Sequence, residues 1–188
     1  MDTARARRAM IDNQLRPEGV TDAFVLAAMG SVPREEHVPN EARAFAYFDR
    51  TIDLDGGRTL MPPAALGRLL SEAAPRPGER ALVVGAGSGY AAAVLEAIGL
   101  SVTSIDGPDG GEGAPVDLIL IDGAVAAVPQ ALVDRLADNG RLVTALHSGG
   151  ISRLSIGRAV AGRLGLRSIV DAGVSRLPQF DAPRAFTF

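Results

Sequence analysis

The 188-residue chain predicts an α/β fold, a largely parallel sheet with helices on both faces, preceded by a helical N-terminal addition. Three observations carry this. RALVVG (80–85), VDLILID (116–122) and GRLVTAL (140–146) are short, continuous apolar runs, as expected of parallel strands covered on both sides. Helical periodicity alternates with them in AAAVLEAIG (91–99) and VPQALVDRLA (128–137). Glycine punctuates the first strand-to-helix turn, at GAGSGY (85–90).

Taken in order, residues 3–15 predict a helix with Ala6, Met10, Ile11 and Leu15 near one face, ended by Pro17 and Gly19. Arg5, Arg7 and Arg8 are expected on a solvated face. Thr21 or Asp22 can cap a second helix through Met29, and a third is expected over Asn40 to Tyr47. Pro62 and Pro63 suit the start of a helix whose apolar positions are Ala65, Leu66, Leu69, Leu70 and Ala73. SVTSID (101–106) is the second strand of the sheet. Beyond Leu146 the signals weaken, through GISRLSIGRAVAG and RSIVDAGVSRL to a final AFTF. One domain is expected over 1–188, with a helical region to residue 58 and the sheet-bearing core from 59.

Composition narrows the function. Net charge is −3, which gives no electrostatic reason to expect a nucleic acid or an anionic membrane as partner. The chain has no cysteine, so disulfides, thiol nucleophiles and cysteine-ligated metals are excluded. His37 and His147 have no carboxylate cluster beside them, and no metal site is expected. MDTARARRAMIDNQL lacks the apolar core of a secretory signal, and no run of about 20 apolar residues could span a bilayer. A cytoplasmic location is expected.

The chemistry is concentrated at the glycine turn. Gly85, Gly87 and Gly89, with Ala86, Ser88 and Tyr90 between and after them, form a strand-to-helix turn where a Cβ would block close approach of a ligand. Asp106 ends the next strand, where a carboxylate can accept both hydroxyls of a ribose. A dinucleotide fingerprint requires G-x-G-x-x-G, but Tyr90 stands three residues after Gly87. G-x-G-x-G is instead the pattern of class I S-adenosylmethionine methyltransferases. Asp122, ending the strand VDLILID, is a further candidate at the cofactor edge, or a cap for the turn that follows.

Three stretches, VPREEHVPNEARAFAYFDR, GRTLMPP and VDLILIDGAVAAVPQALVDRLADNGRLV, resemble the protein-L-isoaspartate O-methyltransferase family. The resemblance implies a Rossmann-like methyltransferase core and S-adenosylmethionine as cofactor. The implied reaction is methyl transfer to the α-carboxyl of isoaspartyl residues in damaged proteins, the first step of repair. Isoaspartyl-containing proteins or peptides are then the substrate.

Three departures from the family pattern accompany it. Between Asp106 and Val116 the family has a helix and a further strand that supply the adenine-side wall. Here GPDGGEGAP (107–115) is too short for both, so a helix–strand unit is expected to be missing and the strand ending at Asp106 to lie at the sheet edge. That edge is a candidate surface for homodimer formation. Met61 stands where the family has a serine beside the transferring methyl, which leaves Thr59 as the nearest hydroxyl in sequence. Val83 stands where many members carry an acid. The alternative reading is a catalytically inactive member acting as a binding or regulatory module.

Overall fold

The structure is a computed structural model that describes residues 2–54, 56, 58–85 and 87–181. The terminal AFTF and Ala86 therefore lie outside the described residues.

The N-terminal helix α1 (Thr3–Met10) is capped by Asp2, whose carboxylate accepts from the Arg5 amide at 3.1 Å. It continues as one wider π turn, Ile11–Leu15, that carries Leu15 into the core. After α2 (Ala23–Ser31) come two 3₁₀ segments, Arg34–His37 and Asn40–Phe45, where the sequence predicts a third α-helix. No residue of Asn40–Phe45 is buried, so no apolar face holds a longer helix there. Arg7 is not on a solvated face. Its Nε donates to the Tyr47 hydroxyl at 2.8 Å and its Nη2 to Glu35 at 3.2 Å.

A short hairpin, β1 (Ile52–Asp53) with β2 (Thr59–Leu60), leads into α3 (Pro63–Ala73), with proline at its first position. The main sheet is built from β3 (Arg80–Val84), β4 (Ser101–Ile105), β5 (Val116–Val125), β6 (Leu136–Ser148), β7 (Ile151–Val160) and β8 (Arg163–Asp171). Their order is β4-β3-β5-β6-β7-β8. The first three pairings are parallel and the last two, β6 with β7 and β7 with β8, antiparallel. The weak C-terminal signals thus become an antiparallel meander.

Alternation along the strands divides the core. Ala81, Val83, Leu118 and Leu120 face one cluster with α1–α3 and α4 (Tyr90–Ile98). Leu82, Val84, Ile119 and Ile121 face the other, covered by Leu132 of α5 (Gln130–Val133) and by Leu177. The helix α5 has four residues rather than the ten that periodicity predicts. Strand pairing takes its C-terminal flank, where Leu136 pairs with Val116.

The crossover from β4 to β5 is made without a helix. Gly110 lies against α5, where a Cβ would stand 2.6 Å from the Ala131 carbonyl oxygen, and its φ of 77° is open to glycine. Arg135 clamps the loop by donating to the carbonyls of Gly110, Gly111 (3.0 Å) and Ala114 (3.3 Å). β4 is the outermost strand, and among the described residues none pairs with its free edge. Its Ser101, Thr103 and Ser104 are exposed.

Candidate active site

The glycine turn sits where β3 delivers the chain into α4. The Gly85 amide donates to the Ile105 carbonyl at 2.8 Å, which fixes the turn beside the end of β4 and so beside Asp106. Gly85 and Gly89 both have φ of 73°, the left-handed region where a side chain is strained. Gly89 occupies the N-cap of α4, and the Ser88 hydroxyl accepts from the Tyr90 amide at 3.1 Å.

Above this turn opens a crevice of about 300 Å³, lined by Gly85, Gly87, Asp106, Gly107, Thr59, Arg58, Gly56, Leu177 and Gln179. The structure thereby brings together two glycines of the turn, the acid after β4 and Thr59, residues separated by up to 47 positions. Gly87 packs directly against the backbone of the β1–β2 hairpin. A Cβ there would stand 2.9 Å from Arg58 Cβ and 3.0 Å from the Thr59 carbonyl oxygen. Gly87→Ala is therefore expected to push the β1–β2 hairpin outward and to weaken cofactor binding about thirtyfold, roughly 2 kcal/mol. Calorimetric titration with S-adenosylhomocysteine reads this directly; an unchanged affinity would show that the hairpin yields freely.

The remaining predicted residues divide. Met61 is 2 % exposed and its side chain belongs to the apolar core, so only its carbonyl, accepting from Arg34, engages a polar group. Tyr90 is fully buried behind the turn, its hydroxyl without a hydrogen-bond partner. Val83 is buried in the same cluster as Met61. Asp122 is 2 % exposed, is not among the residues that line the crevice, and has no hydrogen bond to either carboxylate oxygen. Burial raises its pKa to about 7, against a smaller lowering by the Arg34 charge.

Four residues at this site escaped the sequence reading. Arg34, in VPREEHVP, is fully buried against the Tyr90 ring. His37 places Nδ1 3.0 Å from the Ser88 carbonyl oxygen and stacks edge-on against Tyr90, so it touches the glycine turn from outside. Leu177 and Gln179 come from the far C-terminal segment and also line the crevice. Gln179 Nε2 donates to the Asp106 carbonyl at 3.4 Å. The charged flank of VPREEHVP could have signalled Arg34 and His37. For Leu177 and Gln179 no local signal exists. His147 pairs with Ser152 across the β6–β7 turn at 3.0 Å and is structural.

The site fits an S-adenosylmethionine-type ligand by its own chemistry. The glycine cradle admits backbone approach, and Asp106 stands at the crevice mouth, where it can accept ribose hydroxyls. Among the described residues no group of three or more metal-ligating side chains exists.

Comparison with known proteins agrees. The family model for protein-L-isoaspartate(D-aspartate) O-methyltransferase matches residues 5–106 and 96–156. A protein-L-isoaspartate O-methyltransferase of Methylorubrum populi is 41 % identical over 169 residues, spanning 76 % of this chain and 79 % of the relative. Another, of Koribacter versatilis, is 36 % identical over 186 residues, 84 % of each chain. The fold is shared with the solved structure of a Plasmodium falciparum enzyme described as a protein-L-isoaspartate O-methyltransferase in complex with S-adenosyl-L-homocysteine, at TM-score 0.75 and 19 % identity over 92 % of this chain and 98 % of that one. The two matched segments together take in the helical N-terminal blocks, the glycine turn and most of the sheet, and the chain belongs to the protein-L-isoaspartate(D-aspartate) O-methyltransferase family.

Proposed function

We propose that the protein transfers a methyl group from S-adenosylmethionine to the α-carboxylate of isoaspartyl residues in damaged proteins. The observation that carries this reading is the joining of the glycine turn, Asp106 and Thr59 around one crevice in a chain of this family. The bound sulfonium supplies an activated methyl group. The substrate carboxylate is ionised at neutral pH, so no general base is needed. Its oxygen forms the new bond to carbon as the carbon–sulfur bond breaks, and sulfur keeps the electron pair. The ester then closes to a succinimide, losing methanol, and hydrolysis returns part of it to aspartate.

The chain's work is to bind, align and exclude water. Gly85, Gly87, Ser88 and Gly89 form the cradle, with Tyr90 behind it and Asp106 for the ribose. Thr59 is the hydroxyl that faces the substrate, because Met61 is committed to the core. The adenine-side wall, where the family's helix–strand unit is absent from this chain's sequence, is supplied by Gly107, Leu177 and Gln179. The free edge of β4 is a candidate surface for a homodimer, which native mass spectrometry would reveal as a two-chain species.

Calorimetric titration with S-adenosylmethionine and S-adenosylhomocysteine is expected to give micromolar affinity, about −8 kcal/mol, followed by methylation of an isoaspartyl peptide. No binding at millimolar ligand by a folded sample would remove the donor. Binding without transfer would favour a regulatory or binding module, a reading that the Met61 substitution motivates.

A further inference from the structure

The most deeply buried charged group among the described residues is Arg34, which is 0 % exposed. Its Nε donates to the Ala46 carbonyl at 2.7 Å and its Nη2 to the Met61 carbonyl at 2.5 Å. Its guanidinium carbon lies 4.9 Å from the centroid of the Tyr90 ring. One side chain thus touches the segment before β1, the segment after β2 that follows Thr59, and the first residue of α4. The Ala64 amide donates to the Asp49 carboxylate at 3.1 Å, which joins the first two segments a second time.

Two carbonyls and a ring face do not neutralise a buried cation, and Nη1 has no hydrogen-bond partner. The ionisable groups acting on Arg34 are Tyr90 from α4, Asp122 from β5, and Asp49 and Tyr47 from the segment before β1. Asp122 alone among the carboxylates here is fully buried and lacks any hydrogen bond of its own. It stands on the sheet face that carries Leu118 and Leu120, the face α3 and α4 cover.

We propose that Arg34 is a positioning residue, holding the Met61 segment and so Thr59 in register with the glycine turn, and that Asp122 is its internal counter-ion. A planar fork suits this task, because two donors on one rigid plane fix two carbonyls at once. A lysine would keep the charge and lose the fork. A buried carboxylate with no hydrogen bond costs stability by itself, and the charge acting on this one is the Arg34 cation. This inference rests on the methyl-transfer reading only for its kinetic arm.

The first test is a thermal cycle at pH 8 on wild type, Arg34→Met, Asp122→Asn and the double variant. Arg34→Met is expected to lower Tm by about 10 °C, and by about 6 °C in the Asp122→Asn background. Near pH 5, where the Asp122 carboxyl is protonated, the two losses should converge. Equal losses at pH 8 would overturn the pairing. Arg34→Gln gives the same cycle if the methionine variant does not fold.

The second test is amide hydrogen exchange of Arg34→Lys. Residues 46–50 and 59–64 should exchange about tenfold faster while α4 is unchanged. Unchanged exchange in those two segments would overturn the positioning role. In the kinetic arm, Arg34→Lys should lower kcat about tenfold with S-adenosylhomocysteine affinity within threefold of wild type, whereas an equal loss in both would mark a merely structural residue. A wild-type protein that transfers no methyl group would sink the proposed reaction, and the cycle and exchange would still decide the pair.

Discussion

Asp122→Asn is expected to gain about 3 kcal/mol of stability on the wild type as pH rises from 5 to 8. The folded pKa of Asp122 is raised from 3.8 to about 7, chiefly by burial. Between those values the folded state holds a proton that the unfolded chain has released. The stabilising contribution is therefore complete below about pH 4 and lost as pH rises through about 7. The span of about 3 units, at 1.36 kcal/mol per unit, is about 4 kcal/mol in all, of which about 3 falls above pH 5. Asparagine keeps the shape and removes the titration. Denaturant unfolding of both proteins across that range measures the difference. Parallel curves would mean that Asp122 titrates like an exposed carboxyl. Glu35 and Glu79, whose pKa values are lowered mainly through hydrogen bonds to Tyr47 and Arg141 against opposing desolvation, pull wild-type stability the other way. They are common to both proteins, so they cancel in the comparison.

A protein that keeps such a residue gives up stability for something else. The Arg34 pairing offers a physical reason, and the sign of the Asp122→Asn effect separates it from simple cross-linking. A purely stabilising salt bridge would make Asp122→Asn less stable at pH 8, not more.

The second large effect is expected from Leu177→Ala. Leu177 is 6 % exposed and packs into the α5-side cluster. Its amide donates to the Ala124 carbonyl at 2.9 Å, and the Ala124 amide donates to the Ser175 carbonyl at 2.8 Å. This short parallel bridge sets the C-terminal segment beside the end of β5. Gly123 makes the approach feasible, since a Cβ there would stand 2.4 Å from Leu177 Cγ. Truncation should cost about 3 kcal/mol, lowering Tm by about 9 °C. Gln179→Ala, from the same segment but exposed, should leave Tm within about 2 °C and weaken S-adenosylhomocysteine severalfold. Leu177→Ala melting with the wild type would mean that the segment is not docked in solution.

The two sets of residues at the crevice differ in how legible they are. Gly85, Gly87, Gly89 and Asp106 follow from spacing alone, because a turn between a buried strand and a helix has few ways to bring backbone to a ligand. Strands β3 and β5 are legible for the same reason: each is a short apolar run bounded by breakers. The ten-residue helix expected over 128–137 is cut short where pairing of Leu136 with Val116 claims its C-terminal end, a contest local propensity does not enter. Met61 and Thr59 are two residues apart and share one side of an extended segment, yet the crevice takes one and the core the other.

The sequence by itself determined the sheet's parallel half, the glycine turn, the acid after it and the edge position of β4. All of these rest on short-range signals: apolar runs, glycine where a Cβ is excluded, and a connection too short for another strand. Only the tertiary structure decided that Asp122 is buried within reach of the Arg34 charge, that His37 reaches Ser88, and that Leu177 and Gln179 line the crevice. Each of those depends on chain segments at least 51 positions apart meeting in three dimensions. Burial and the charge of a neighbour, which set what Asp122 can do, exist only once those segments have met.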